Sequence, residues 1–125
     1  MRLLLVDDDA GIRELLRATF AAVDVELDEA GNAEQALDAL LHRRPDAIVL
    51  DVSMPGMDGL AFCRRIKQDP LTATIPVVLL TGSDLDRGRL ADEAGADAYV
   101  RKPFSPAELL AAVAALVPTP GEAAA

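Results

Sequence analysis

The chain has 125 residues, a length that argues for one domain able to bury roughly two-thirds of its unfolded surface without disulfides or a structural metal. Twelve Lys and Arg against twenty-one Asp and Glu give a net charge of −9, the wrong sign for DNA, RNA or an anionic membrane surface, each of which needs a cationic patch. A single cysteine, Cys63, excludes an internal disulfide and a cysteine metal cage and fits a reducing cytoplasm, while no apolar run approaches the roughly 20 residues of a membrane span and the first residues do not fit a signal peptide.

Leu3-Leu4-Leu5-Val6 is a near-continuous apolar run, the pattern of a parallel strand covered on both faces. Ile12, Leu15, Leu16, Phe20 and Val23 then recur at helical spacing. Val25-Glu26-Leu27-Asp28 alternates and reads as an edge strand. Asn32 can cap a second helix, with Gln35 three residues on and Ala36, Leu37, Leu40 and Leu41 as its inner face. Ala47-Ile48-Val49-Leu50 is a second buried strand, and Leu60, Phe62, Cys63 and Ile66 fit a third helix. Val77-Val78-Leu79-Leu80 is a further buried strand. Leu85 to Ala94 reads as a weaker helix, interrupted by Gly88 and ended by Gly95. Ala98-Tyr99-Val100-Arg101 is short and half polar, the other edge. Ser105-Pro106-Ala107-Glu108 combines a cap, a first-turn proline and a capping-box Glu, and Leu109, Leu110, Val113, Leu116 and Val117 then form a buried face. Residues 1–117 thus form the domain, and Pro118 to Ala125 a linker or frayed tail.

Alternation of five strands with five helices predicts an α/β fold, one parallel sheet with helices on two faces. The residues just past each strand are informative. The first strand ends at Asp7-Asp8, the Ala47–Leu50 strand at Asp51, the Val77–Leu80 strand at Thr81, and the last at Lys102-Pro103. In a parallel sheet these ends share one edge, where open α/β sheets bind ligands. Three converging carboxylates repel one another by several kcal/mol, about 4 for a pair 4 Å apart at an effective dielectric of about 20. A divalent cation relieves this, and an all-oxygen set suits Mg²⁺ or Mn²⁺ rather than zinc. A hard metal beside a hydroxyl and an ammonium handles phosphoryl groups, and a carboxylate can itself be the nucleophile. Taken singly, Asp7-Asp8-Asp9 could be a solvated turn, Thr81 a turn residue and Lys102 a surface lysine; their matching places at strand ends favour the site. Asp9 reads as a cap, Cys63 as core, and His42 with Arg43 and Arg44 as charge complementing a helix C-terminus.

The sequence resembles a response-regulator receiver domain of two-component signalling. The resemblance rests on Leu5-Val6-Asp7-Asp8, on Asp51-Val52-Ser53-Met54-Pro55-Gly56-Met57-Asp58-Gly59, on Leu79-Leu80-Thr81-Gly82, and on Gly95 through Phe104 with its Lys102-Pro103 pair. It implies a flavodoxin-like, doubly wound fold with strand order 2-1-3-4-5. It also implies that Asp51 accepts a phosphoryl group from a phosphohistidine of a sensor histidine kinase or histidine phosphotransfer protein. Asp8, Asp51 and the backbone carbonyl of Ser53 would bind Mg²⁺, with Asp7 acting mostly through water. Thr81 and Lys102 would contact phosphoryl oxygens, Thr81 and Tyr99 would form the switch, and the peptide before Pro103 would be cis. The signal would pass through the helix over Leu85–Ala94, the Ala98–Arg101 strand and the last helix to a downstream effector or output domain. Such a domain turns over no external substrate. Ser53 and Ser83 sit at variable positions that tune dephosphorylation. Many DNA-binding relatives dimerise through the fourth helix, fifth strand and fifth helix with cross-subunit ion pairs, whereas Ala107 to Val117 carries only Glu108, which argues against such a charged dimer. Two other functions fit less well. An aspartate-nucleophile phosphatase resembles Asp-x-Asp, and Ser53 replaces its second Asp; a docking module that never takes a phosphoryl group would have no need of a complete site.

Overall fold

Leu3 and Leu5 face one side of the central sheet, Leu4 and Val6 the other, and all four are buried. That alternation within an uninterrupted apolar run requires a helical layer on each face. The computed structural model describes residues 1–21, 23–54, 57–82, 93–102 and 104–117, and among them it provides both layers. The elements are β1 (Arg2–Val6), α1 (Ala10–Phe20), β2 (Glu26–Ala30), α2 (Ala33–His42), β3 (Ala47–Asp51), β4 (Ser53–Met54), β5 (Met57–Asp58), α3 (Gly59–Gln68), β6 (Val77–Thr81), β7 (Ala98–Arg101) and α4 (Pro106–Leu116). The main sheet is parallel throughout, in the order β2-β1-β3-β6-β7. Counting only its own five strands, this is the 2-1-3-4-5 order of a doubly wound fold. Leu4, Val6, Ile48, Leu50, Val77 and Leu79 pack under α2 and α3; Leu3, Leu5, Val49, Val78, Leu80 and Val100 pack under α1 and α4.

Local chemistry sets the helix starts. Asp9 caps α1 by accepting from the Gly11 and Ile12 amides. Asn32 accepts from the Gln35 amide at 2.9 Å, while the Gln35 side chain reaches past the cap to the Gly31 amide at 2.7 Å. Ser105 accepts from the Glu108 amide at 3.1 Å, with Pro106 at the first position.

Four expectations need correction or restriction. Leu15 and Val23 are 53% and 42% exposed: α1 ends at Phe20, so its inner face is the narrower one of Ile12, Leu16 and Phe20. Leu41, expected inside α2, is 83% exposed, because Ala36, Leu37 and Leu40 already fill the contact with the sheet. β2 starts one residue later than expected and runs on to Ala30, whose side chain is buried and whose carbonyl accepts from Asp7. The two-residue hairpin of β4 and β5 was not expected at all. Of the helix expected over Leu85–Ala94, all but Glu93 and Ala94 lies outside the described residues, as do Ser83, Pro103 and the Pro118–Ala125 tail; Glu93 and Ala94 are helical.

Candidate phosphoryl and metal site

Parallel pairing brings the carboxyl ends of β1, β3, β6 and β7 to one edge of the sheet. Asp7 continues β1 by one residue, its amide donating to the Ala30 carbonyl at 3.0 Å. Asp51 ends β3 in register with Leu80, and Thr81 ends β6 opposite Arg101. The Lys102 amide then donates to the Thr81 carbonyl at 2.7 Å, carrying the lysine onto the same edge. Four of the expected groups therefore arrive by backbone register alone.

Their side chains meet. Asp7, Asp8 and Asp51 each offer a carboxylate oxygen within 4.8 Å of the others. Asp7 and Asp51 are buried, and Asp8 faces solvent. Lys102 Nζ lies 3.0 Å from Asp51 Oδ1, with the aspartate side chain almost fully covered and the lysine half-covered. Among the described residues, three carboxylates against one ammonium leave a formal deficit of two charges at this spot.

Burial is the largest influence on Asp7 and pushes its carboxyl up to about 6. The Asp9 amide, donating to Asp7 Oδ1 at 2.9 Å, opposes this; the Asp51 charge adds to it, Lys102 counters it and Asp8 adds a little. A carboxyl with a folded pKa near 6 and an ordinary value of 3.8 holds its proton more tightly in the native state. Its stabilising contribution is complete below the ordinary value and is lost as pH rises through the folded one. Without divalent cation, the stability of the wild type relative to an Asp7→Asn variant should therefore fall by about 3 kcal/mol between roughly pH 4 and pH 7. Urea unfolding of both proteins across that range checks this, and parallel pH profiles would refute it. Cation binding needs the ionised form, so Mg²⁺ affinity should weaken as pH drops through the same window.

The residues fit a divalent cation. Asp7 Oδ2 is buried without a hydrogen-bond partner among the described residues, an arrangement that costs free energy unless something else satisfies the oxygen. The donor set is hard oxygen throughout, suited to Mg²⁺ or Mn²⁺. Thr81 Oγ1 is likewise buried and unpartnered among the described residues, a donor available to an oxygen arriving beside Asp51. Ser53 lies in β4, two residues past Asp51, its backbone opposite that of Asp58. Tyr99 is 40% exposed on β7, its ring turned partly to solvent. Pro103, expected after a cis peptide, lies outside the described residues.

Two contributors were not anticipated. Arg13, on the first turn and a half of α1, donates from Nη1 to the Asp7 carbonyl. Gly59, the first residue of α3, lies against the backbone of Asp51 and Val52. A cation shortly after an acidic pair could have suggested the first; nothing local marks the second.

Residues 3–114 match the model of the response regulator receiver domain family. The chain belongs to that family. The receiver is 40% identical over 116 residues to the phosphate regulon transcriptional regulatory protein PhoB of Pseudomonas aeruginosa, covering 92% of this chain and 51% of that protein. Among solved structures it is similar to the signal receiver domain of a signal transduction histidine kinase from Syntrophus aciditrophicus, with a TM-score of 0.85 and 36% identity over 92% of this chain and 88% of that one. It is also similar to chemotaxis protein CheY4 of Vibrio cholerae, with a TM-score of 0.84 and 26% identity over 93% and 98%. The receiver spans about half the length of the curated relatives it matches. No helix among its described residues is long and apolar enough to cross a membrane.

Proposed function

We propose that this receiver is a phosphorylation switch in which Asp51 takes a phosphoryl group from the phosphohistidine of a sensor histidine kinase or phosphotransfer protein. The observation that carries the proposal is the placement of a nearly buried Asp51 at 3.0 Å from Lys102, with the Thr81 hydroxyl, unpartnered among the described residues, at the end of the neighbouring strand. An Asp51 carboxylate oxygen attacks phosphorus, the phosphorus–nitrogen bond to the donor breaks, and its electron pair returns to the imidazole. Lys102 follows the charge from the carboxylate to the phosphoryl oxygens, and the Thr81 hydroxyl donates to one of them. A divalent cation held by Asp7, Asp8, Asp51 and the Ser53 carbonyl would neutralise the acidic cluster and screen phosphoryl charge. Hydrolysis of the acyl phosphate returns the carboxylate, so the domain processes its own modification and no external substrate.

Signalling is then a population shift. A phosphoryl group that binds the Thr81 hydroxyl in one arrangement more strongly than in another favours that arrangement. Tyr99, in register with Leu79 on the adjoining strand, would report the change to an effector or output domain. The relative PhoB is named a transcriptional regulator; an output of that kind would lie outside this acidic domain.

The test is intact mass after incubation with acetyl phosphate, with and without Mg²⁺. One Mg²⁺-dependent phosphoryl addition is expected. No addition to a folded, Mg²⁺-binding protein would favour a docking module that works without phosphorylation. In the same assay Lys102→Ala should slow addition by about ten- to a hundredfold while keeping or tightening Mg²⁺ binding, since it removes a cation beside the acids. A normal rate would remove Lys102 from the chemistry.

A further inference from the structure

Three features lie outside the phosphorylation switch. The apolar groove between α2 and α3, about 370 Å³ and lined by Leu37, Leu40, Ile66, Leu71 and Ile75, has nothing among the described residues against it to identify an occupant. The Lys67–Asp97 pair at 2.6 Å joins α3 to the start of β6 and β7, at the sheet edge opposite the site. The third feature reaches the site itself.

Arg13 bridges two strands. Its Nη1 donates to the carbonyl of Asp7, just past the end of β1, and its Nε donates to Glu29 Oε1 at 3.2 Å, near the end of β2. Glu29 is also held by Arg17, one helical turn further along α1. Arg13 and Glu29 are both largely covered, whereas Arg17 is mostly exposed. Gly31 gives the guanidinium room: a Cβ there would lie 3.3 Å from Arg13 Nη1. Asp7 is thereby fixed at three points: its amide on Ala30, its side chain under the Asp9 amide, and its carbonyl on Arg13. The last of these sets the plane of the peptide leading into Asp8, the exposed member of the acidic trio.

We propose that Arg13 is a positioning residue for the divalent-cation site, holding the Asp7–Asp8 peptide so that both carboxylates meet Asp51. The inference rests on the receiver reading of that site. A planar guanidinium can serve two acceptors at once in a fixed geometry, which an ammonium does less well. Groups behind metal ligands commonly govern affinity in this way.

Charge and positioning predict opposite signs. Arg13 is a cation beside a cation site, so Coulomb repulsion alone would make its removal tighten Mg²⁺ binding. Positioning makes its removal weaken binding. The experiment is calorimetric titration of the unphosphorylated domain with Mg²⁺ for wild type, Arg13→Met and Arg17→Met, with melting measured in the absence of cation. Arg13→Met should raise the Mg²⁺ Kd about tenfold, and Arg17→Met, which loses the same charge and the same Glu29 partner, should leave it within about twofold. An unchanged or lower Kd in Arg13→Met overturns the proposal, as does an equal rise in both variants. If Arg13→Met does not fold, Arg13→Lys carries the test at constant charge: about a threefold rise is expected, and wild-type affinity overturns it. A wild type that binds no Mg²⁺ overturns this proposal together with the site reading, whereas failure in the variants alone overturns only this one.

Discussion

Asp51→Asn should take up no phosphoryl group from acetyl phosphate or a phosphohistidine donor, a fall of at least about a hundredfold, yet should fold normally. The substitution keeps the shape of the side chain and removes its nucleophilic charge. Neither remaining carboxylate is a ready substitute: Asp7 is buried with its pKa raised to about 6, and Asp8 faces solvent. The stability side is equally specific. Asp51 loses its 3.0 Å pairing with Lys102, but the lysine is partly exposed and can turn to water. Against that loss, one member of a three-acid cluster is neutralised. In the absence of cation the variant should melt no lower than wild type, and the Mg²⁺-induced rise in melting temperature should shrink, because a charged ligand is gone. Intact mass and paired melting curves with and without Mg²⁺ check both. Undiminished phosphoryl addition would remove Asp51 from its role, and a markedly lower cation-free melting point would show that the ion pair outweighs the repulsion.

Much of this site was legible in the sequence because backbone register places it. Asp7, Asp51 and Thr81 each come after an apolar run and Lys102 after a short, half-polar strand, and any parallel sheet of those strands brings them to one edge. The caps at Asn32 and Ser105 were legible for a similar reason, since capping is settled within four residues. Exposure of Leu15 and Leu41 was not, because helical spacing gives the direction of a face and not its width. The β4–β5 hairpin escaped because two-residue strands carry no periodicity. Arg13 escaped because its partners, Asp7 and Glu29, sit on different strands and meet only through the β1–β2 pairing. Gly59 escaped because its neighbours are backbone atoms, which leave no mark on composition.

Gly59→Ala should destabilise the domain by about 2–4 kcal/mol and disturb the site with it. The cause is space, not conformation: among the described residues the one positive φ belongs to Gly95. A Cβ on Gly59 would lie 2.5 Å from the Asp51 carbonyl oxygen, 2.7 Å from Val52 Cα and 2.8 Å from the Val52 carbonyl oxygen. All three are backbone atoms of the segment leaving β3, so no flexible side chain can swing away. The Gly59 amide also donates to the Val52 carbonyl at 3.1 Å, which draws the start of α3 onto that segment. Relief must come from shifting α3 outward, which loosens Leu60, Phe62 and Cys63 in the core, or from shifting Asp51, which moves its carboxylate off Lys102. Gly82, one residue past Thr81 at the same sheet edge, is the control: a Cβ there meets nothing within 4 Å among the described residues. Gly82→Ala should stay within about 0.5 kcal/mol of wild type. Urea unfolding of the two variants separates the cases, and phosphoryl addition at a temperature where Gly59→Ala remains folded should be slower than wild type. Equal stability of the two variants would mean that the α3 start yields without cost, and that Gly59 does not hold Asp51 in place.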